Sequence, residues 1–254
     1  MTVNAIDGKL FSALTKIDGV NLSSISAILG QTKASSGPVN PVTSGLQIEY
    51  YGGSLTGGNG AAISTWADIS GNARDATQGT GSNQPTVVDP GLNGHPVALF
   101  DGSNDNLQYT NLTAPTALTY FAVMKCTGSG AHTLIAYNFL GDTAQWRIRT
   151  AKNELAKSGV ASIGLGSTVL STATFYTIAV TYSSPNAAFY LNGAADGTAS
   201  SAQTFTNPLN ALGRNYNGEY FQGSIAHAMY YNRVLNGTEI TDVFNYLRTL
   251  WATW

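Results

Sequence analysis

From Gly45 to the C-terminus, short runs of β-branched and aromatic residues alternate with clusters of Gly, Asn, Asp and Pro, and that punctuation restricts the chain to a sheet protein. Residues 46–51, 97–100, 118–125, 133–138, 144–150, 175–182 and 187–191 read as strands. Within 175–182, Phe175, Thr177, Ala179 and Thr181 interleave with Tyr176, Ile178, Val180 and Tyr182. The second set is larger, which predicts that its face is the buried one. After Phe189-Tyr190-Leu191, the pair Asn192-Gly193 supplies the positive φ angles of a type I′ turn and predicts a hairpin. Many short strands with little helix predict a mainly β, two-sheet antiparallel jelly-roll sandwich. One helix is expected at the C-terminus. Asn236 and Glu239 have capping-box spacing, and Ile240, Val243, Phe244, Leu247 and Trp251 form one apolar stripe.

Composition narrows the function. Charged residues make up only 10% of the 254, so polarity comes from Ser, Thr, Asn, Gln and 28 Gly. A net charge of −2 with cations scattered singly argues against nucleic acid as a partner. No run approaches the length of a membrane helix, so no membrane insertion is expected. Asp7 and Lys9 interrupt the N-terminal stretch where a signal peptide would be apolar, so none is expected. Cys126 is the sole cysteine, read as a small residue at a strand end.

Residues 1–36 differ from the remainder. Ile6-Asp7-Gly8, Ile17-Asp18-Gly19 and Ile28-Leu29-Gly30 recur every eleven residues, the pattern of stacked units that need another surface to cover their apolar side. This segment is expected to be an assembly anchor. Residues 37–44, with Pro38 and Pro41, read as a linker, and residues 45–254 as the jelly-roll domain.

Four stretches, in order, carry a family resemblance. They are Trp66-Ala67-Asp68-Ile69-Ser70-Gly71-Asn72, then Pro96-Val97-Ala98-Leu99-Phe100-Asp101-Gly102, then Tyr176-Thr177-Ile178-Ala179-Val180-Thr181-Tyr182 leading to Asn192-Gly193, and finally Gly223-Ser224-Ile225-Ala226-His227-Ala228-Met229 with the helix. Together they resemble the laminin G-like, concanavalin A-like lectin/glucanase jelly rolls. The N-terminal repeats resemble anchor segments of bacteriophage structural proteins. These resemblances imply a virion component, such as a head decoration, head fibre or tail-tip protein. It would join other virion proteins through residues 1–36, form a homo-oligomer and display a domain that binds surface glycans. A carbohydrate-active enzyme or its accessory binding module, and a purely structural cement, are the alternative readings.

The superfamily's glucanases carry Glu-x-Asp-x-x-Glu, whereas Glu49, Glu154, Glu219 and Glu239 stand apart in this sequence, so no catalytic residues are expected. His95, His132 and His227 are far apart in sequence and read as ordinary sandwich residues. Residues 101–106 have the oxygen density a calcium site needs, and an Asx turn explains them equally well; no calcium ligands are assigned, and no other cofactor is expected. The loop 214–220 combines aromatic rings with neutral amides, which makes Tyr216, Asn217 and Tyr220 the candidate carbohydrate-binding residues. Tyr50 and Tyr51 are a weaker second aromatic pair.

Overall fold

The computed structural model describes residues 16–17, 20–21, 38–128, 130–136, 142–158, 162–172 and 174–254. The chain divides into Met1–Val39 and Asn40–Trp254. In the first unit, β1 (Lys16–Ile17) pairs antiparallel with β2 (Val20–Asn21). The remainder of the eleven-residue repeats and of the proposed anchor lies outside the described residues. The second unit begins inside the segment read as a linker: Asn40 and Val42 are buried in it.

Two antiparallel sheets stack face to face. The first runs in spatial order β16 (Ala194–Ser200), β15 (Asn186–Leu191), β14 (Tyr176–Ser183), β9 (Ala117–Cys126), β18 (Gln222–Tyr231), β7 (His95–Asp101) and β6 (Thr86–Leu92), with β3 (Leu46–Tyr51) paired to the far half of β18. The second runs β13 (Ser162–Leu165), β12 (Lys152–Lys157), β11 (Ala144–Arg149), β10 (Ala131–Ala136), β17 (Ala211–Leu212), β8 (Leu107–Gln108), β5 (Ala76–Thr77) and β4 (Thr65–Trp66). Between them lies a core in which Tyr120, Ala122 and Met124 of β9 and Ile178, Val180 and Tyr182 of β14 meet Trp146, Ile148 and Leu155 of the opposing sheet. Tyr120 stacks on Trp146 with centroids 5.2 Å apart and planes 5° from parallel. One polar tie crosses this core. Asn153 accepts from the Trp146 indole at 2.6 Å and donates to the Ala179 carbonyl at 2.9 Å.

Asn192-Gly193 closes β14 onto β15 as expected, with φ of 49° and 82°. Gly223, at φ 144°, lets β18 run close to β9; a Cβ there would meet the Lys125 carbonyl at 2.0 Å. Trp66 is buried with its indole donating to the Tyr51 carbonyl at 3.0 Å. The Asp68 carboxylate accepts from the backbone amides of Glu49, Ser70 and Arg74, which ties the Trp66–Arg74 turn to the edge of β3. Cys126 is buried at the end of β9, where burial pushes its thiol pKa up.

α1 (Gly237–Trp251) carries the full capping box, and all five residues of its apolar stripe are buried. Arg233 grips Glu239 with both guanidinium nitrogens, at 2.7 and 2.8 Å; that pair and the Asn236 amide hold the Glu239 pKa down at about 2. α1 covers the other face of the first sheet, packing on Phe121, Val123, Ala179, Ala226 and Met229. The expectation of a single buried face on β14 is therefore corrected. Ile178, Val180 and Tyr182 do enter the sandwich, but Thr177 and Ala179 are buried too, and Thr177 shares a 2.9 Å hydrogen bond with Thr253 just past the helix.

Buried polar groups fix the helix on the sheet. The Trp251 indole, which can only donate, points at His227 Nδ1 at 3.2 Å, so the imidazole proton sits on Nε2 and is donated to Glu49 Oε1 at 2.9 Å. Glu49 also accepts from Tyr246 Oη at 2.8 Å and from Asn40 Nδ2 at 3.2 Å. Asn40 donates in turn to Tyr231 Oη, which donates to the Val42 carbonyl at 3.0 Å. The preceding residue, Tyr230, buries its hydroxyl with no hydrogen-bond partner among the described residues, as do Tyr120 and Tyr109. The adjacent tyrosines thus form an internal comparison. Tyr231→Phe should lower stability by roughly 1–2 kcal/mol, whereas Tyr230→Phe should leave it unchanged or raise it, as read by chemical denaturation of each variant.

Candidate functional site

The outer face of β10, β11 and β12 is polar. Register aligns Thr133 with Arg147 and Arg147 with Glu154, and Gln145 lies two residues along β11 on the same face. Alternation sends Trp146, Ile148 and Leu155 inward to the core and leaves these polar groups outward. They are nevertheless buried. Arg147 Nε bonds Glu154 at 2.5 Å, and Arg147 Nη1 bonds Gln145 Oε1 at 3.3 Å and Glu219 at 3.2 Å. Burial works against the Arg147 cation, but the two carboxylates outweigh it and hold the guanidinium pKa above its ordinary range. Among the described residues, the hydroxyl of Thr133 and the amide nitrogen of Gln145 have no hydrogen-bond partner.

Glu219 joins this face to the loop 214–220. Its Oε2 accepts from Asn215 Nδ2 at 2.5 Å as well as from Arg147, and its amide donates to Asn215 Oδ1 at 3.1 Å. Arg214 and Tyr220 pair as a β-bridge at the loop base. The Arg214 guanidinium lies over the Tyr220 ring, 5.4 Å from its centroid, and the Tyr220 carbonyl meets His132 Nδ1 at 3.1 Å. Of the three candidate residues, Tyr216 and Asn217 are exposed at the tip, Tyr216 by 42%, while Tyr220 is half-buried at the base under Arg214. The three belong to one loop, two at its exposed tip and one at its base.

Two other expectations change. Tyr50 and Tyr51 are buried, with Tyr50 donating to the Arg74 carbonyl at 2.7 Å and Tyr51 placed 3.2 Å from His95 Nδ1, so this pair offers no aromatic surface. The glutamates are isolated in sequence but not in space. Glu154 and Glu219 meet on Arg147, Glu49 meets His227 and Glu239 meets Arg233. Sequence reasoning missed Arg147 and Glu154 because they become neighbours only through a hairpin whose turn, Thr150-Ala151, carries no Gly or Asn. Both turn residues sit at positive φ, 50° and 55°.

At the rim, the Asp101 carboxylate accepts from the amides of Ser103, Asn104 and Asp105, an Asx-type turn. Asp105 Oδ2 accepts from the Asp101 amide at 2.8 Å. A depression of about 350 Å³ opens beside the pair, with Gln84, Thr127 and Gln222 among its walls. Among the described residues, no group of three or more His, Cys, Asp or Glu is placed to hold a metal. Burial, with the Asp101 charge adding to it, raises the Asp105 pKa to about 6 against the opposing amide bond. An acid raised in the folded state favours folding most while protonated. Its contribution is lost as pH rises from the ordinary carboxylate range near 4 to about 6. Asp105→Asn should therefore flatten the fall in melting temperature between pH 4 and pH 6.5, measured against the parent protein.

A sequence profile of the concanavalin A-like lectin/glucanases superfamily matches residues 101–241. No curated protein matches the chain in sequence. Several solved structures share the fold. Domain 4 of AbnA, a GH43 extracellular arabinanase from Geobacillus stearothermophilus, in complex with arabinotriose, has a TM-score of 0.60 at 17% identity, over 78% of this chain and 97% of that one. Trypanosoma rangeli sialidase in complex with sialic acid has a TM-score of 0.56 at 15% identity, over 84% of this chain and 34% of that one. The ligand binding domain of botulinum neurotoxin serotype D, in complex with N-acetylneuraminic acid, has a TM-score of 0.56 at 12% identity, over 80% of this chain and 51% of that one. The chain thus spans nearly all of the arabinanase domain, a third of the sialidase and half of the neurotoxin chain.

Proposed function

The chain belongs to the concanavalin A-like lectin/glucanase superfamily, and from that footing we propose that its jelly roll is a glycan-binding module whose contact surface is the loop 214–220 with the outer face of β10–β12. The observation that carries the reading is the exposure of Tyr216. Its ring is exposed at the tip of a loop whose base is locked to the sheet by Glu219, Asn215 and Arg147. A pyranose has apolar C–H faces and a rim of hydroxyls. A phenol ring beside amides and guanidinium groups offers stacking for the former and hydrogen bonds for the latter. That similar folds carry arabinotriose and N-acetylneuraminic acid supports the reading.

Binding is inferred here in preference to catalysis. Glycoside hydrolysis uses a carboxyl pair in which one member donates a proton. Glu154 and Glu219 instead share one guanidinium, and Glu154 also faces Arg149 at 3.5 Å. On this reading residues 1–36 attach the module to a bacteriophage virion, where many copies make weak single contacts sufficient.

Two measurements test this. On a glycan array, the protein should retain at least one saccharide, and Tyr216→Ala should weaken that binding by about tenfold with an unchanged melting temperature; undiminished binding by the variant would place the site elsewhere. Deleting residues 1–36 should leave a folded domain that no longer co-sediments with its particle, and normal incorporation of the truncated chain would remove the anchor from the reading.

A further inference from the structure

Charge on the proposed surface is distributed unlike charge on the rest of the domain. Asn40–Trp254 contains nine Lys and Arg against twelve Asp and Glu, so this unit is acidic overall. Yet Arg147, Arg149, Lys152 and Arg214 stand on one face and its loop with only Glu154 and Glu219 to oppose them. Arg149 and Lys152 are register partners one step along from Arg147 and Glu154. The two acids are already engaged, since Arg147 takes an oxygen of each. Arg149 is left with a single 3.5 Å contact to Glu154 and a half-exposed side chain. Arg214 has no carboxylate partner among the described residues; its guanidinium lies over Tyr220, and its Nε is buried without a hydrogen-bond acceptor.

Thr133 and Gln145 are almost wholly buried on this same face, and each keeps a side-chain polar atom unpartnered among the described residues. Glu154 Oε1 is also buried without a hydrogen-bond partner among the described residues, but it faces Arg149 at 3.5 Å; the groups left at least partly exposed here are cations, the guanidinium groups of Arg149 and Arg214 and the ammonium of Lys152. Such a set is complementary to oxygen anions.

We propose that the glycan taken by this surface is anionic, with a carboxylate- or sulfate-bearing sugar whose acid group is held by Arg214 and Arg149 while its ring contacts Tyr216. The inference rests on the glycan-binding reading above and adds the charge of the ligand to it. The Arg fork pairs with two acceptor oxygens at once, and a carboxylate or sulfate adds to that pairing a charge that the hydroxyls of a neutral sugar lack. Because the attraction is between partly exposed charges, it weakens as salt rises.

The full-length protein can be titrated against polygalacturonate, a sulfated dextran and unmodified dextran, each at low and physiological salt. The uronate or the sulfated polymer should bind, the two arms telling the acid groups apart, and unmodified dextran should not. Arg214→Gln and Arg149→Gln should each weaken binding by about tenfold. Arg248→Gln, on the helix, should change nothing and guards against unspecific attraction. Equal, salt-independent binding of unmodified dextran, or binding indifferent to both arginine substitutions, overturns the charge assignment while leaving a glycan module in place. Failure of all three polymers, together with silence on a broad glycan array, overturns the binding reading itself.

Discussion

The first sheet is buried on both faces, and the placement of the other elements follows from that. Its central strands β9 and β18 send Tyr120, Ala122, Met124, Ala228 and Tyr230 into the sandwich, and Phe121, Val123, Ala226 and Met229 to the opposite side. A sandwich needs only one apolar face per sheet. The second apolar face therefore requires a cover, and α1 supplies it with five side chains on one stripe. Apolar packing has no direction of its own, so it does not fix the helix azimuth or its axial position. The Trp251–His227–Glu49–Tyr246 chain of hydrogen bonds does, because each donor has one acceptor at a defined angle.

The same double burial sets how much of the fold was legible. The turn at Asn192-Gly193 and the helix from Asn236 were readable because their signals are local, namely residue types that tolerate positive φ and a cap with its reciprocal glutamate. The face of β14 was only half readable. Thr177, Ala179 and Thr181 are smaller than their neighbours, as expected of a solvent-facing set, yet they lie buried, Ala179 under the helix. Small residues let a helix sit close to a sheet, and in a strand pattern they look the same as exposed ones. The turn at Thr150-Ala151 was not readable at all. A β-branched residue at positive φ contradicts the local rule, and the strand pairing on either side overrides it.

That one turn also explains why the candidate site was half visible. Tyr216 and Asn217 could be chosen by composition alone, because an exposed loop declares its chemistry in consecutive residues. Arg147 and Glu154 are seven residues apart and become neighbours only if Arg149 pairs with Lys152. Glu219 is farther still, and its role depends on the loop folding back from β17 over the neighbouring strands. Polar residues spread singly through a sequence read as surface; assembled by register, here they form a buried cluster.

The polar outer face of β10–β12 differs from the helix-covered face of the first sheet in one energetic respect. There, apolar burial stabilises the contact and the hydrogen bonds orient it. Here, a guanidinium and a carboxylate have been taken out of water, and such a pair seldom stabilises a fold more than apolar side chains of similar size would. What the pair adds is direction. Arg147 projects from a rigid strand, is held by Glu154 on the next, and presents its remaining N–H to Glu219 in the loop. The base of the loop is therefore tied to the sheet by bonds made on folding, with Asn215 and Arg147 both held on the Glu219 carboxylate.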